Sequence, residues 1–185
     1  MAARYSAAIM ARQSLPELWL LSDARNDAVL EDALARLPSG SGFVFRHYHL
    51  DEADRRARFD ALKAVCADRG HLAILSGDAD TACSWGADGI YGPPGELGKR
   101  AGLLRIATAH GAREIFLANR NGADAVMLSP VFPTRSHPGG ACLGATHFRE
   151  LAARSEVPVI ALGGMDRERA KALGWPRWAA IDGLS

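Results

Sequence analysis

The feature of this sequence that most constrains its fold is a series of eight short apolar runs spaced along nearly the whole chain. Most of these runs are followed by polar or glycine-rich residues and then by a segment with helical spacing. Because the runs are short and continuously apolar, they are typical of strands covered on both faces, as in parallel sheets. The predicted strands are LWLLS (18–22), FVF (43–45), LAILS (72–76), GIYG (89–92), LLRIAT (103–108), AVMLS (125–129), VPVIALGG (157–164) and WAAI (178–181).

The segments between the strands predict crossover helices. Residues 51–70 carry apolar side chains at spacings of three and four and end at a glycine, which is typical of an amphipathic helix. The tripeptide Gly-Ala-Asp occurs at residues 86–88 and again at 122–124, each time directly before a predicted strand. A glycine that ends a helix just before a strand is how βα units close. The chain is therefore predicted to be built from βα units in series.

Eight strands with intervening helices favour an α/β fold of the (β/α)8 TIM barrel type over a doubly wound sheet. With 185 residues, the chain is shorter than most barrels, which have about 200 residues or more. We therefore expect some helices to be short or missing, around residues 93–102 and after the last strand. The predicted organisation is an N-terminal extension, residues 1–17, followed by one barrel domain, residues 18–185.

Charge and cysteine content exclude several classes of function. The chain has 22 Lys and Arg against 21 Asp and Glu, without a long run of one sign, which argues against nucleic-acid and membrane partners. No stretch is long enough to span a membrane or has the apolar core of a secretory signal. Cys66, Cys83 and Cys142 lack CxxC spacing and are expected to be small buried residues of a reduced protein. We expect a cytoplasmic protein.

No trio of residues in the sequence has the spacing of metal ligands. His47 and His49 are two residues apart directly after the second predicted strand. If the backbone stays extended there, the two imidazoles point to opposite faces and do not converge on a metal ion.

Ligands of such barrels bind at the C-terminal ends of the strands. Gly163-Gly164 leads into a predicted helix at Met165-Asp166, whose free N–H groups suit a phosphate, although the glycines can also simply permit a tight turn. His110 follows the fifth strand and is either a general acid/base or an ordinary rim residue. The residues that follow the strands are Asp23, Arg46, Ser76, Tyr91, Thr108, His110, Thr134, Ser136, His137, Gly163, Gly164 and Asp182.

The segments GADAVMLSPVFPTRSHPGGACLG and VPVIALGGM, read with the two Gly-Ala-Asp units, resemble the thiamine phosphate synthase and thiazole tautomerase (TenI) family. The similarity runs from LWLLSDARN at residue 18 to the end of the chain. It implies the same (β/α)8 barrel. Synthases of the family join a pyrimidine carried as its diphosphate to a thiazole carrying phosphate and release pyrophosphate. The tautomerases shift a proton within the thiazole phosphate.

The resemblance implies a role for each candidate residue. Arg46 falls on the arginine that grips the diphosphate, and His110 on the acid/base of the tautomerases. The loop of residues 131–144 would be a lid that closes over the substrates and is ordered by them. The other implied substrate-binding residues are Ser76, Thr108, Thr134, Ser136, His137, the thiazole phosphate site Gly163-Gly164, and Asp182 and Gly183 after the last strand.

This chain departs from the synthase pattern where the diphosphate binds. Gly77 stands where synthases carry a magnesium-binding aspartate, and Glu96 is the candidate for the second acidic ligand if magnesium is retained. Tyr48 and His137 stand where the family has lysines. A diphosphate leaving group is normally stabilised by a metal ion and fixed cations, so these changes weaken that half of the site.

Three hypotheses remain open from the sequence. The first is a synthase that uses Mg2+ and binds thiazole phosphate and pyrimidine diphosphate. The second is a tautomerase that needs no cofactor and uses His110. The third is a protein that binds thiazole or thiamine phosphate without turnover. Trp175 and Trp178 near the C-terminus suggest either packing at the base of the barrel or the interface of a homodimer.

Overall fold

Eight parallel strands close into a barrel in which each strand pairs with the next along the chain and the eighth pairs with the first. The computed structural model describes residues 15–98, 101–136 and 139–184. This confirms the predicted TIM barrel. All eight predicted strands are present, and their bounds are β1 Leu18–Leu21, β2 Gly42–Phe45, β3 Leu72–Ser76, β4 Gly89–Gly92, β5 Leu104–Ala109, β6 Ala125–Leu128, β7 Val159–Leu162 and β8 Trp178–Ala180.

Six α-helices surround the barrel in the described residues, and none of them is long and apolar enough to cross a membrane. Residues 93–98 and 101–103, between β4 and β5, contain no helix, as the short chain length predicted. Single 3-10 turns precede the first helix and follow β8, at Asp27–Val29 and Asp182–Leu184. The helices are α1 Leu30–Arg36, α2 Glu52–Arg69, α3 Ala79–Trp85, α4 Ala112–Asn121, α5 Gly144–Ala152 and α6 Arg167–Leu173.

The repeated Gly-Ala-Asp unit closes two helices by the same local geometry. Gly86 ends α3 with φ 66°, and the next N–H, of Ala87, donates to Ala82 O at 2.9 Å. A position with positive φ favours glycine, which has no Cβ to clash there. The turn lets backbone N–H groups after the helix satisfy carbonyls at its end. The carboxylate of Asp88 accepts a hydrogen bond from Ala73 N at 2.8 Å, which ties the turn to β3. Each residue of the unit therefore has a distinct structural role.

The apolar core has two layers, because successive strand residues point alternately into the barrel and outward to the helices. Trp19 and Leu21 lie inside, whereas Leu20 packs against the outer helices. The Trp19 ring occupies the space beside Gly42, where a Cβ would stand 2.1 Å from the ring. Its indole N–H donates to Pro16 O at 2.8 Å, so the polar end of this large side chain is satisfied.

The cysteines are only partly as predicted. Cys66 is buried in the outer layer, where burial raises the pKa of its thiol to about 12. Cys83 and Cys142 are exposed, so the expectation that all three are buried was wrong for these two. They lie on α3 and in the loop before α5, outside the apolar layers that the strand pattern identifies.

The two C-terminal tryptophans pack at the base of the barrel. The Trp175 indole N–H donates to Val159 O at 2.8 Å, and its ring meets Phe148 edge-on at 5.1 Å. Trp178 begins β8 and packs against the outer layer. These contacts fit the core-packing interpretation, and the homodimer stays a prediction. Of the predicted N-terminal extension, residues 1–14 lie outside the described residues, as does His137.

Candidate functional site

The mouth of the barrel, at the C-terminal ends of the strands, contains a cavity of about 850 Å³. Residues following seven of the eight strands line it. Of the predicted site residues that the structure describes, Gly164, Asp182 and Gly183 do not line this cavity. The predicted site residues that the fold brings together here are Arg46, Ser76, Glu96, Thr108, His110, Thr134, Ser136 and Gly163.

His110 lies at the end of β5, just before α4, and its imidazole is oriented by backbone. Its Nδ1 is 2.9 Å from the carbonyl oxygen of Ser129. A carbonyl can only accept, so Nδ1 carries a proton and, in the neutral ring, Nε2 has a free lone pair. The His110 N–H donates to the Glu114 carboxylate at 2.8 Å, which fixes the backbone at this point. The arrangement leaves Nε2 able to take up and return a proton at the cavity wall.

Arg46 follows β2 and is held against the loop after β1. Its Nε donates to Ser22 O at 2.9 Å, and its Nη2 donates to the Asp23 carboxylate at 3.0 Å. Its side chain is 19% exposed, so most of the guanidinium is removed from water. A cation fixed in this way loses little conformational entropy when an anion binds. This suits the role that the family resemblance implies for Arg46, which is to grip the diphosphate.

Behind Arg46 lies a buried polar chain that the sequence analysis missed. The Arg46 N–H donates to Ser22 Oγ at 2.7 Å, and Ser22 Oγ is 2.8 Å from His47 Nδ1. On its other side, His47 Nε2 is 2.7 Å from an Asp27 carboxylate oxygen. Because a carboxylate accepts, Nε2 carries the proton and the Ser22 hydroxyl donates to Nδ1. Burial lowers the pKa of His47, outweighing Asp27, so the ring is neutral at pH 7.

The prediction that His47 and His49 point to opposite faces was wrong. Their ring centroids are 5.1 Å apart. β2 ends at Phe45, and the backbone turns after it, with Leu50 N donating to His47 O at 3.4 Å. The alternation of a strand therefore does not extend to these residues. The described residues contain no group of three or more His, Cys, Asp or Glu side chains that could hold a metal ion.

The glycine pair after β7 packs against the loop after β6. A Cβ on Gly163 would stand 2.7 Å from Pro130 Cα, and one on Gly164 would stand 2.4 Å from Pro133 O. Both residues also have positive φ, at 95° and 62°. The Asp166 carboxylate accepts from Arg169 N at 2.8 Å and so caps α6 itself. This geometry accounts for the glycines as a tight turn, while Gly163 still borders the cavity; phosphate binding stays a prediction.

The base of the proposed lid is held by backbone hydrogen bonds. Val131 N donates to Leu162 O at 2.9 Å, and Phe132 N donates to Gly163 O at 3.0 Å. At the far end, Gly144 N returns to Val131 O at 2.9 Å. Val131 is fully buried, whereas the described residues 135–136 and 139–142 are exposed. The ends of the loop are thus fixed by the barrel, and ordering by substrate would concern only its upper part.

Arg25, which the sequence did not single out, links three loops above the cavity. It donates through Nη2 to Ser136 Oγ at 2.9 Å and through Nε to the Asp23 carboxylate at 2.9 Å. Its Nη1 lies 3.5 Å from Asp182. Burial alone would raise the pKa of Asp23, but hydrogen bonds and the charges of Arg25 and Arg46 lower it. Asp182 therefore lies in an ion pair at the rim rather than in the cavity wall.

The wall formed by β2, β3 and β4 is aromatic and hydroxylated. Tyr48 Oη is 2.5 Å from Ser76 Oγ, and the Ser76 hydroxyl donates to Tyr91 O at 3.2 Å. Burial raises the pKa of Tyr91 to about 12, so its phenol stays protonated. The Asp78 carboxylate, also in this wall, caps α3 by accepting from Thr81 N at 2.8 Å and from the Thr81 hydroxyl at 2.7 Å.

The donor set of this wall does not fit a resident magnesium ion. Asp78 already accepts two hydrogen bonds at the start of α3, and Gly77 supplies no ligand. Glu96 borders the cavity as a further carboxylate. Magnesium is usually held by one or two carboxylates together with substrate phosphates and waters. Without substrate phosphates, Glu96 alone does not form such a site, and its role as a metal ligand stays a prediction.

Comparison with known proteins identifies relatives along most of the chain. The family described as thiamine monophosphate synthase (TMP-TENI) matches residues 19–177. A protein of Aquifex aeolicus named putative thiamine-phosphate synthase 2 is 28% identical over 166 residues, covering 85% of this chain and 89% of that protein. The thiamine-phosphate synthase of Thermosynechococcus vestitus is 30% identical over 159 residues, covering 81% of this chain but 45% of that longer protein.

Solved structures agree on the fold. The thiamine phosphate pyrophosphorylase from Pyrococcus furiosus superposes with a TM-score of 0.76, at 21% identity, covering 92% of this chain and 87% of that one. FabK from Thermotoga maritima reaches 0.73 at 16% identity, covering 96% of this chain and 61% of that one. Likeness at these identities shows the shared barrel, and the sequence match over residues 19–177 supplies the family. The chain belongs to the thiamine monophosphate synthase (TMP-TENI) family.

Proposed function

We propose that this protein is a thiamine phosphate synthase-type transferase that joins a pyrimidine carried as its diphosphate to a thiazole carrying phosphate. The observation that carries the proposal is that one cavity gathers the residues implied by the family resemblance from the C-terminal ends of six different strands and the loops that follow them. Its volume of about 850 Å³ lies within the range of small-molecule sites, about 300–1,000 Å³, and leaves room for two small rings.

The cavity offers the groups that this reaction needs. As the bond from the pyrimidine carbon to the diphosphate breaks and the bond to the thiazole forms, negative charge grows on the leaving diphosphate. Arg46 is a fixed, partly desolvated cation on the wall, where such charge is stabilised most strongly. Ser136 accepts from Arg25 and so keeps its own O–H to donate to a phosphate oxygen. The hydroxyls of Thr108 and Thr134 border the same cavity.

Because the described side chains do not fit a resident magnesium ion, the stabilisation of charge rests here on Arg46 and the hydroxyl donors. Dependence of turnover on Mg2+ stays a prediction of the synthase assignment. In this proposal any Mg2+ would arrive with the diphosphate. Substitution of Glu96 by Gln tests whether its carboxylate contributes to that dependence.

A second candidate, thiazole phosphate tautomerase, is favoured by the orientation of His110. Its Nδ1 is bonded to Ser129 O, so Nε2 faces the reaction as a base and then as an acid. Taking a proton from one ring position and returning it at another needs no diphosphate site and no metal. This candidate predicts isomerisation that is insensitive to chelators and is lost in His110→Ala.

One experiment separates the two candidates. The purified protein is incubated with both synthase substrates, with and without Mg2+, and separately with the thiazole phosphate tautomer alone, and each product is followed by liquid chromatography and mass spectrometry. Formation of thiamine phosphate supports the synthase. Conversion of the tautomer alone refutes the synthase and supports the tautomerase. Inertness in both arms refutes both and leaves a binding protein.

A further inference from the structure

Tyr48 is an exposed aromatic residue inside the candidate site. It lies in the loop between β2 and α2, borders the cavity, and is 68% exposed. Large exposed aromatic rings at a concave surface are more typical of ligand contacts than of surface packing. The residue therefore calls for an explanation that its own packing does not give.

The ring is held in place in spite of its exposure. Ser76 Oγ lies 2.5 Å from Tyr48 Oη and 3.2 Å from Tyr91 O; with its proton directed to the Tyr91 carbonyl, it accepts from Tyr48 Oη. Arg55 lies against the ring, with its guanidinium carbon 5.9 Å from the ring centroid. Arg55 Nη2 also donates to Ser76 O at 2.5 Å, which joins the two supports. Tyr48 is thus preorganised, and fixing it on binding a ligand costs little further entropy.

Arg55 is positioned mainly by aromatic rings. Its guanidinium carbon lies 5.6 Å from the Phe45 centroid and 5.5 Å from the Trp85 centroid. Its Nε is buried without a hydrogen-bond partner among the described residues. A cation placed in this way is attracted to the Tyr48 ring and helps to hold it in position.

The contact that Tyr48 can offer a ligand is set by its hydroxyl proton. The Tyr48 hydroxyl is engaged with Ser76 Oγ at 2.5 Å, so the ring is the part of the side chain that is left for a ligand. Its neighbour Gly77 has no side chain to bind an anion, and Asp78 is acidic. Beside Arg46, which suits the diphosphate group, the feature that this wall offers a ligand is the flat aromatic surface of Tyr48, which suits a heterocycle.

We propose that Tyr48, supported by Arg55 and Ser76, is the stacking platform that selects the pyrimidine ring of the diphosphate substrate. The inference rests on the proposed function and on the thiazole phosphate site that the family resemblance implies at Gly163, which follows β7 across the barrel from β3. The ring that remains for the wall of β2 and β3 is then the pyrimidine. Tyr48 determines specificity for a ring-bearing diphosphate over a ringless one.

The test measures binding of two probes by isothermal titration calorimetry: hydroxymethylpyrimidine diphosphate and inorganic pyrophosphate. Tyr48→Leu should weaken the pyrimidine diphosphate about tenfold, which is about 1.4 kcal/mol, and change pyrophosphate less than about twofold. Tyr48→Phe keeps the ring and should retain most of the affinity. Phe116→Leu is the matched control, because Phe116 is also an exposed aromatic, at 59%, but lies on α4 away from the cavity.

The outcomes separate this inference from the proposed function. Equal weakening of both probes in Tyr48→Leu, or of neither, would overturn the stacking role. The expected binding pattern without product formation would refute the synthase assignment and leave the stacking role standing. Wild-type protein that binds no pyrimidine diphosphate overturns the inference, whatever the tautomer assay shows. Circular dichroism of each variant confirms that the barrel is folded.

Discussion

Replacing Ser22 by alanine tests the buried polar chain behind Arg46. The Ser22 hydroxyl accepts from Arg46 N at 2.7 Å and donates to His47 Nδ1 at 2.8 Å, and the residue is fully buried. Alanine fits the same space but makes neither bond. Because Ser22 has no exposed surface, water at the protein surface cannot directly replace the hydroxyl.

The magnitude follows from the two groups left without partners. A buried donor or acceptor without a partner costs about 1–3 kcal/mol, so with some relaxation of the loop we expect a loss of about 2–4 kcal/mol in the free energy of unfolding. This is a large fraction of the stability of an ordinary domain, about 5–15 kcal/mol. Deleting an exposed hydroxyl should change stability by less than about 0.5 kcal/mol.

Urea unfolding followed by circular dichroism at pH 7.5 measures this difference. The control is Ser84→Ala, since the Ser84 hydroxyl is exposed and bonds to Thr81 O at 3.0 Å. The urea concentration at the midpoint should be lower in Ser22→Ala, while the slope of the free energy of unfolding against urea concentration stays unchanged. This is expected for a loss of stability without a change in the surface exposed on unfolding. If the free energies of unfolding of Ser22→Ala and Ser84→Ala differ by less than about 1 kcal/mol, the Ser22 hydroxyl does not make the two buried hydrogen bonds described above.

Three further predictions follow. Burial lowers the pKa of both His47 and His71 below 6.5, so as the pH falls the unfolded chain takes up protons before the folded protein does. The free energy of unfolding, measured in urea, should therefore fall as the pH drops below 6.5, and it should fall less steeply in His47→Gln than in the wild type. Gly164→Ala should lower the free energy of unfolding by at least about 1 kcal/mol more than Gly40→Ala in the same assay. Both glycines have positive φ, but of the two only Gly164 would place its new Cβ against backbone atoms, so equal losses would contradict the prediction. Arg46→Met should lower kcat/KM by about 10²–10³, whereas the exposed Arg120→Met should not, as measured by initial rates.

The strands could be predicted from sequence because their signal is local. A run buried on both faces is continuously apolar, and each of the eight runs, such as 72–76, overlaps a strand of the barrel. The Gly-Ala-Asp units are equally local, since the glycine with positive φ that ends the helix and the start of the next strand lie within three residues. Closure of the barrel then brings the residues that follow the strands to one mouth.

The contacts within the site could not be predicted in the same way. Arg25 meets Ser136 across 111 residues of sequence, and Asn26 meets Ile181 across 155. Such pairs depend on the path of each loop, which no periodicity encodes. The error at His47 and His49 has the same origin, because the strand ends at Phe45 and the following loop sets where the rings lie.

The charges at the barrel mouth explain how an anionic ligand can be bound without a strong local excess of positive charge. Asp23 pairs with Arg46 through one carboxylate oxygen and with Arg25 through the other, while Asp182 also faces Arg25. Two cations and two carboxylates balance within this cluster, and the cavity wall adds the carboxylates of Asp78 and Glu96, so these side chains give the mouth no excess of positive charge. Under the proposed function, attraction for phosphate then rests on short-range hydrogen bonds from Arg46 and the loop hydroxyls, which salt screens less than it screens a long-range field. Under the proposed function, recognition of an aromatic ring at Tyr48 supplies binding energy that this balanced site does not obtain from charge.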